Sequence, residues 1–247
     1  MPHSKPKAHP SRNAEGLVEK YLRDSRDFAT GFLFILPLLI GYEVGVLLLR
    51  SEVINWAHGL IRTVFLVFGR AEPLVFAALI AGLAWLALRH ARRRRLDAEL
   101  FGLMFIESLA CAVALGLLCR LAAGILLPGG NLGAGRNVAR DIVLSVGAGV
   151  YEEVVFRVVL MGAIYYGLKV WSHLRPGWAA AISILVSSLA FALCHHVGPY
   201  GDRWVAGLLA YRFILGVLFA ALYIYRGLGI VVYTHALFDI FVSLSRA

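Results

Sequence analysis

The sequence predicts an all-α, polytopic transmembrane helical bundle of seven to eight spans. Three observations predict it. Hydrophobic residues fill 60% of the 247 positions and charged residues only 16%, giving a mean hydropathy of +0.76. Apolar runs near the roughly 20 residues that cross a bilayer as a helix recur along most of the chain. The runs are continuous and rich in Leu, Ala and Gly, without the alternation of barrel strands. In hydrocarbon every backbone polar group must be satisfied internally, so such runs span as helices.

Residues 1–27 carry Pro2, Pro6, Pro10 and many charges, and read as a disordered or interfacial basic tail on the cytoplasmic side. The first apolar run, Phe28 to Leu49, holds Pro37, Glu43 and a Gly41-x-x-x-Gly45 pair suited to close helix packing. It is too long for a signal peptide and has no small-residue cleavage site, so it is expected to stay as an anchor. Val53 to Gly69 contains His58 and Arg62 and reads as an interfacial or re-entrant helix. Further spans are expected at Pro73 to Leu88, Leu100 to Leu127, Ile142 to Leu168, Trp178 to His196, Trp204 to Tyr225 and Leu228 to Leu244. Pro128-Gly129-Gly130-Asn131 and Gly198-Pro199-Tyr200-Gly201 mark loops. Residues 28–140 form an N-terminal set of membrane helices and 141–247 a C-terminal core. No internal repeat is visible.

The formal net charge of +9 is read as topology. Basic residues cluster in the tail and in Arg89 to Arg95, both beside apolar spans, as the positive-inside rule expects. With seven spans these two clusters share the cytoplasmic side with Lys169, Arg175 and Arg226, while Arg136, Arg140 and Arg203 lie opposite. No aromatic-basic interleaving accompanies them, so no nucleic-acid partner is expected. The compositional bias toward Ala, Arg, Leu and Gly points to a bacterial inner membrane. Cys111, Cys119 and Cys194 are scattered in apolar segments, which suits small buried hydrophobes rather than a disulfide framework.

Ionisable groups inside these spans narrow the function. An Asp at a helix centre costs roughly +2.5 to +3.5 kcal/mol on insertion scales, so such groups face the bundle interior and usually have a task. Glu152 and Glu153 are adjacent within one span. Glu153 and Arg157, four apart, share a face and can pair, while Glu152 is rotated by about 100° and is left free. Phe191 and His195 share a face at the end of the next span, and His196 points elsewhere, toward the interface. His235 and Asp239 share a face of the last span, where the carboxylate can fix the imidazole's tautomer and stabilise its cation. Taken alone, Glu152-Glu153 with Arg157 also reads as a buried ion-pair network, His195 as a structural histidine near a helix end, and His235 with Asp239 as a buried pair made for packing. Together they suit general-base activation of water and stabilisation of an oxyanion, or a metal such as zinc. Because His195 sits near one end of its span and His235 nearer the other end of its own, tilted or broken helices are required to join them. Glu43, Glu107 and Arg120 are expected to form structural pairs, and His58, His90 and His173 to sit at interfaces or in loops.

The three motifs Glu152-Glu153 to Arg157, Phe191 to His195 and His235 to Asp239 match E-E-x-x-x-R, F-x-x-x-H and H-x-x-x-N or H-x-x-x-D in order and spacing. With the stretch Tyr211 to Gly216 and Gly227-Leu228-Gly229, the chain from Ile142 to Ser245 resembles the CPBP family, the Abi or CAAX-processing group of intramembrane proteases related to the Rce1 prenyl-protein endopeptidase. The resemblance makes 141–247 a CPBP-like catalytic core of glutamic type. It implies that Glu152 is the general base, polarising water with His195. His235 and Asp239 then line the oxyanion site, and Glu153, Arg157 and Phe191 support it. It implies a membrane-associated polypeptide substrate and no cofactor, with zinc held by the same residues as the alternative. Well-characterised relatives carry Asn at the last position. Asp239 either donates while protonated or stays ionised and orients His235. A non-enzymatic immunity or scaffold protein on the same fold, and a proton-coupled transporter, are the remaining alternatives.

Overall fold

The computed structural model describes residues 16–49, 55–91, 98–126, 137–198 and 201–245. The tail before Gly16, the Arg92 to Arg95 run, the loop at Pro128 to Asn131, Arg136, and Pro199-Tyr200 lie outside the described residues. Among these, the elements are α1 (Leu17–Arg26), α2 (Phe28–Leu49), α3 (Trp56–Phe65), a 3₁₀ stretch (Leu66–Ala71), α4 (Glu72–Ala91) and α5 (Ala98–Leu126). Next come α6 (Val138–Gly147), two π-helical stretches (Ala148–Glu152 and Val154–Met161), α7 (Gly162–Trp171), α8 (Pro176–Cys194), α9 (Ala206–Arg226) and α10 (Leu228–Ser245). The chain is an all-α, multi-pass membrane protein.

Among the described residues, six helical stretches are long and apolar enough to cross a bilayer: Phe28–Leu49, Trp56–Ala91, Ala98–Leu121, Pro176–Cys194, Ala206–Arg226 and Leu228–Ser245. Seven or eight were expected. The difference is the segment Ile142 to Leu168, whose helix is divided into α6, two π stretches and α7. Trp56–Ala91 is not one rod. A straight helix would separate His58 from Phe76 by about 27 Å, yet their ring centroids are 6.4 Å apart. Gly69, at φ 55 and ψ −127, reverses the chain through a region that side-chain-bearing residues avoid. Arg62 then reaches back to Glu72, with Nε and Nη2 donating at 2.8 and 2.6 Å. The expected re-entrant helix is therefore α3, folded onto α4.

Lipid offers little hydrophobic drive between helices, so small residues that let backbones approach carry much of the packing. A Cβ on Gly31 of α2 would lie 2.9 Å from the backbone nitrogen of Gly229 in α10. One on Gly45 would lie 2.6 Å from a methyl of Val143 in α6, and one on Gly149 would lie 2.7 Å from the Cβ of Ala236 in α10. Gly216 of α9 meets Ser188 of α8 in the same way, at 3.0 Å. Gly227 alone joins α9 to α10 at φ 81, its N–H donating to the Tyr223 carbonyl at 2.8 Å. As a result α10 packs against α2, α5, α6, α9 and the first π stretch.

Of the tail, read as disordered or interfacial, residues 17–26 form an amphipathic helix with Leu17 and Val18 exposed. Charge at its C-terminal end docks it. Arg226 Nη2 donates to Ser25 Oγ at 3.0 Å and to Glu107 Oε2 at 2.7 Å, and Tyr21 donates to the same Glu107 carboxylate. His90 Nε2 lies 3.5 Å from Asp27 Oδ1, so the ends of α1, α4 and α9 meet on the side where the Arg92 to Arg95 run attaches.

Candidate active site

Glu152 closes the first π stretch and Val154 opens the second. Such turns interrupt the i→i−4 ladder and recur at functional sites. Here they bracket the two carboxylates, which turn to different partners. Glu153 and Arg157 are both fully buried. Arg157 Nε lies 3.1 Å from Glu153 Oε2, and its guanidinium sits 5.0 Å from the Phe191 ring centroid. The expected supporting pair is thus formed, with Phe191 covering its outer face. Glu153 Oε1 accepts from His235 Nδ1 at 2.8 Å.

Glu152 faces the other way. Its Oε2 makes no hydrogen bond among the described residues. It lies 3.8 Å from His195 Nε2 and 3.9 Å from His235 Nε2. Both separations are too long for a direct hydrogen bond. His195 caps the C-terminus of α8, and its Nδ1 donates to the Phe191 carbonyl at 2.8 Å. A carbonyl only accepts, so the proton of the neutral ring sits on Nδ1, and Nε2 turns a lone pair toward Glu152. Phe191 stands 4.7 Å from the same imidazole, centroid to centroid. The α8 helix stops at Cys194, and the loop behind it is clamped. Asp202 N–H donates to the His195 carbonyl at 2.7 Å, and Arg212 Nη2 donates to Asp202 Oδ2 at 2.9 Å.

His235 lies in the middle of α10 under the ring of Phe219, 4.3 Å away and nearly parallel. Its Nε2 is 3.5 Å from Asp239 Oδ2. Carboxylates therefore face both ring nitrogens. A neutral imidazole can donate to one of them and an imidazolium to both. Asp239 is more open than the other members, with its side chain 26% exposed.

The structure brings Glu152, His195, His235 and Asp239 into one cluster on three helical units, with Glu153, Arg157 and Phe191 behind them. The helix that carries Glu152 is broken by π turns, and α8 ends at Cys194, just before His195. His196 is buried: it stacks on Trp204 at 4.7 Å and its Nδ1 donates to the Asp202 carbonyl. His58 is also buried, 4.5 Å from the Tyr151 ring and 2.9 Å from the Tyr42 hydroxyl. His90 is half exposed and His173 lies in the α7–α8 loop, as expected. Glu107 forms its pair with Arg226, Glu43 takes the Tyr151 hydroxyl, and Arg120 is exposed.

Sequence reasoning missed Asn55, whose Nδ2 donates to Glu152 Oε1 at 2.9 Å. Its signal was local: an Asn directly before a helical run is a preferred N-cap. Its reach to a residue 97 positions away left no trace in spacing. Among the described residues no group of three or more His, Cys, Asp or Glu is arranged to hold a metal ion.

Fold and site thus define a multi-pass helical membrane protein with carboxylates and imidazoles gathered inside the bundle. Residues 136–241 match the family model described as Rce1-like, type II CAAX prenyl endopeptidase Rce1-like. Over this C-terminal stretch the chain is similar to that family of membrane endopeptidases. Neither a curated protein nor a solved structure matches the chain.

Proposed function

We propose that the protein hydrolyses a peptide bond in a membrane-associated polypeptide by a glutamic mechanism. The observation that supports it best is the Glu152 Oε2 atom, free of hydrogen bonds and within 3.8 and 3.9 Å of two imidazole Nε2 atoms. Glu152 and His195 polarise a water molecule. As the water oxygen bonds to the scissile carbonyl carbon, its proton passes to Glu152. The carbonyl π pair becomes the oxyanion, stabilised beside His235 and Asp239. When the tetrahedral carbon collapses, the C–N bond breaks and the proton moves from Glu152 to the departing amine, leaving a carboxylic acid and an amine. Glu153 and Arg157 hold His235 in place. The reading uses no metal ion, and the membrane is the bacterial inner membrane.

The experiment is reconstitution in liposomes with a membrane-proteome substrate mixture, followed by mapping of new peptide termini. Termini made by wild type and lost in Glu152→Gln and His195→Ala are expected. Identical termini from all three folded proteins would sink the reading. Cleavage that disappears with a strong chelator and returns with zinc would establish zinc chemistry in place of this reading.

A further inference from the structure

The family match begins at residue 136, yet the hydrogen bond that anchors Glu152 comes from residue 55. We propose that Asn55 is a positioning residue for Glu152, through which the N-terminal helices set the orientation of the general base. The proposal rests on the reading of Glu152 just given.

The orientation of the Asn55 amide is fixed by chemistry. Its Oδ1 accepts from the backbone N–H groups of Ala57 and His58 at 2.9 and 3.4 Å. Those groups only donate, so the oxygen must face them and the NH₂ must face Glu152. A side chain that caps α3 with one atom therefore presents the other, with no freedom to flip, to Glu152 Oε1.

The backbone is held as well. Asn55 N–H donates to the Tyr42 hydroxyl at 3.2 Å. That hydroxyl meets His58 Nδ1 at 2.9 Å. Tyr42 and His58 are both buried, and the Tyr42 ring fills the space beside Gly147 at the base of the first π stretch. Trp56, next in the chain, stacks on Phe156 at 6.2 Å. The start of α3 is thus pinned to α2 and to the second π stretch.

Among the described residues, Asn55 is the one hydrogen-bond donor to the Glu152 carboxylate. Anchoring Oε1 leaves Oε2 turned toward His195 and His235. A misplacement of about 1 Å at a reacting group costs on the order of 100-fold, so loss of this anchor is felt as turnover rather than as binding.

Three variants separate positioning from capping. Asn55→Ser keeps an N-cap oxygen and removes the amide donor. Asn55→Ala removes both. Asn55→Asp keeps the cap and supplies a donor only when protonated. The substrate is a synthetic peptide spanning one cleavage site that wild type produces and Glu152→Gln does not. Asn55→Ser is expected to keep the wild-type unfolding temperature and KM while kcat falls about 10- to 100-fold. Asn55→Asp is expected to show a pH–rate profile displaced to acid. If α3 only needs a cap, Ser and Asp match wild type in kcat and pH profile, and the proposal is overturned. Should Asn55→Ser fail to fold, the Asn55→Asp profile decides alone. If wild type and Glu152→Gln never differ, the glutamic reading itself falls; if they differ and Asn55→Ser turns over normally, only the positioning role falls.

Discussion

Arg157 is the largest fully buried side chain among the described residues, and its charge is balanced by Glu153 at 3.1 Å. Removing one partner of such a pair leaves an uncompensated charge, at a cost of about 3–5 kcal/mol. Arg157→Met should therefore lower thermal stability in detergent steeply. The double variant Glu153→Gln with Arg157→Met should recover much of it, because no charge is then stranded. Cleavage should stay low in the double variant, since His235 loses the carboxylate that holds its Nδ1 at 2.8 Å. Asp239 behaves differently. At 3.5 Å its contact with His235 Nε2 is loose, and its side chain is partly open. Asp239→Asn should retain cleavage to within about tenfold, whereas Asp239→Ala should lose on the order of 100-fold, the scale of one positioned polar group. Initial rates on one defined peptide check both.

At the scale of the element, the packing of α10 against the first π stretch fixes the distance between Glu152 and His235. Gly149 makes that contact, since a Cβ there would meet Ala236 Cβ and N at 2.7 Å and the Val232 carbonyl at 2.8 Å. Gly149→Val should cost about 1–3 kcal/mol by overpacking. It should also reduce cleavage more than it reduces the amount of folded protein, which activity per folded molecule would reveal. The reversal at Gly69 has a parallel role for α3. Gly69→Ala forces a side chain into a backbone region that costs about 1–3 kcal/mol, loosening α3 and, through Asn55, Glu152. Hydrogen exchange of the α3 amides should rise, and an unchanged exchange rate would disconnect Gly69 from the hairpin.

Over the whole molecule, the helix ends on the α1 side are tied by Glu107, which joins Tyr21 of α1 to Arg226 of α9. Burial first, and then the hydrogen bond and charge of Glu107, push the Tyr21 phenol above its ordinary range. A phenol whose folded-state proton affinity is raised favours docking fully below the ordinary tyrosine value of about 10, and that contribution declines as the pH rises above it. Alkali should therefore release α1 before the bundle unfolds. Trypsin cleavage at Lys20 or Arg23 should accelerate in the same range, and should already be several-fold faster at neutral pH in Arg226→Ala. Cleavage that stays independent of pH would show that α1 is held by something other than this cluster.

The sequence by itself determined the membrane class, the helix positions and the identity of the buried polar groups. Hydrocarbon enforces these through length, continuity and the cost of each charge, all of which are local. The expected first span Phe28 to Leu49 coincides with α2, and the Glu153–Arg157 pair follows from i, i+4 geometry alone. Neighbour relations between helices were decided only by the tertiary structure. Glycine contacts such as Gly31 with Gly229 set which backbones touch, and nothing in the spacing of either residue names the other. The π turns that flank Glu152 and Glu153, and the fold-back at Gly69 that carries Asn55 to Glu152, depend on packing across the bundle. They were invisible in a chain where every apolar helix looks alike to the lipid.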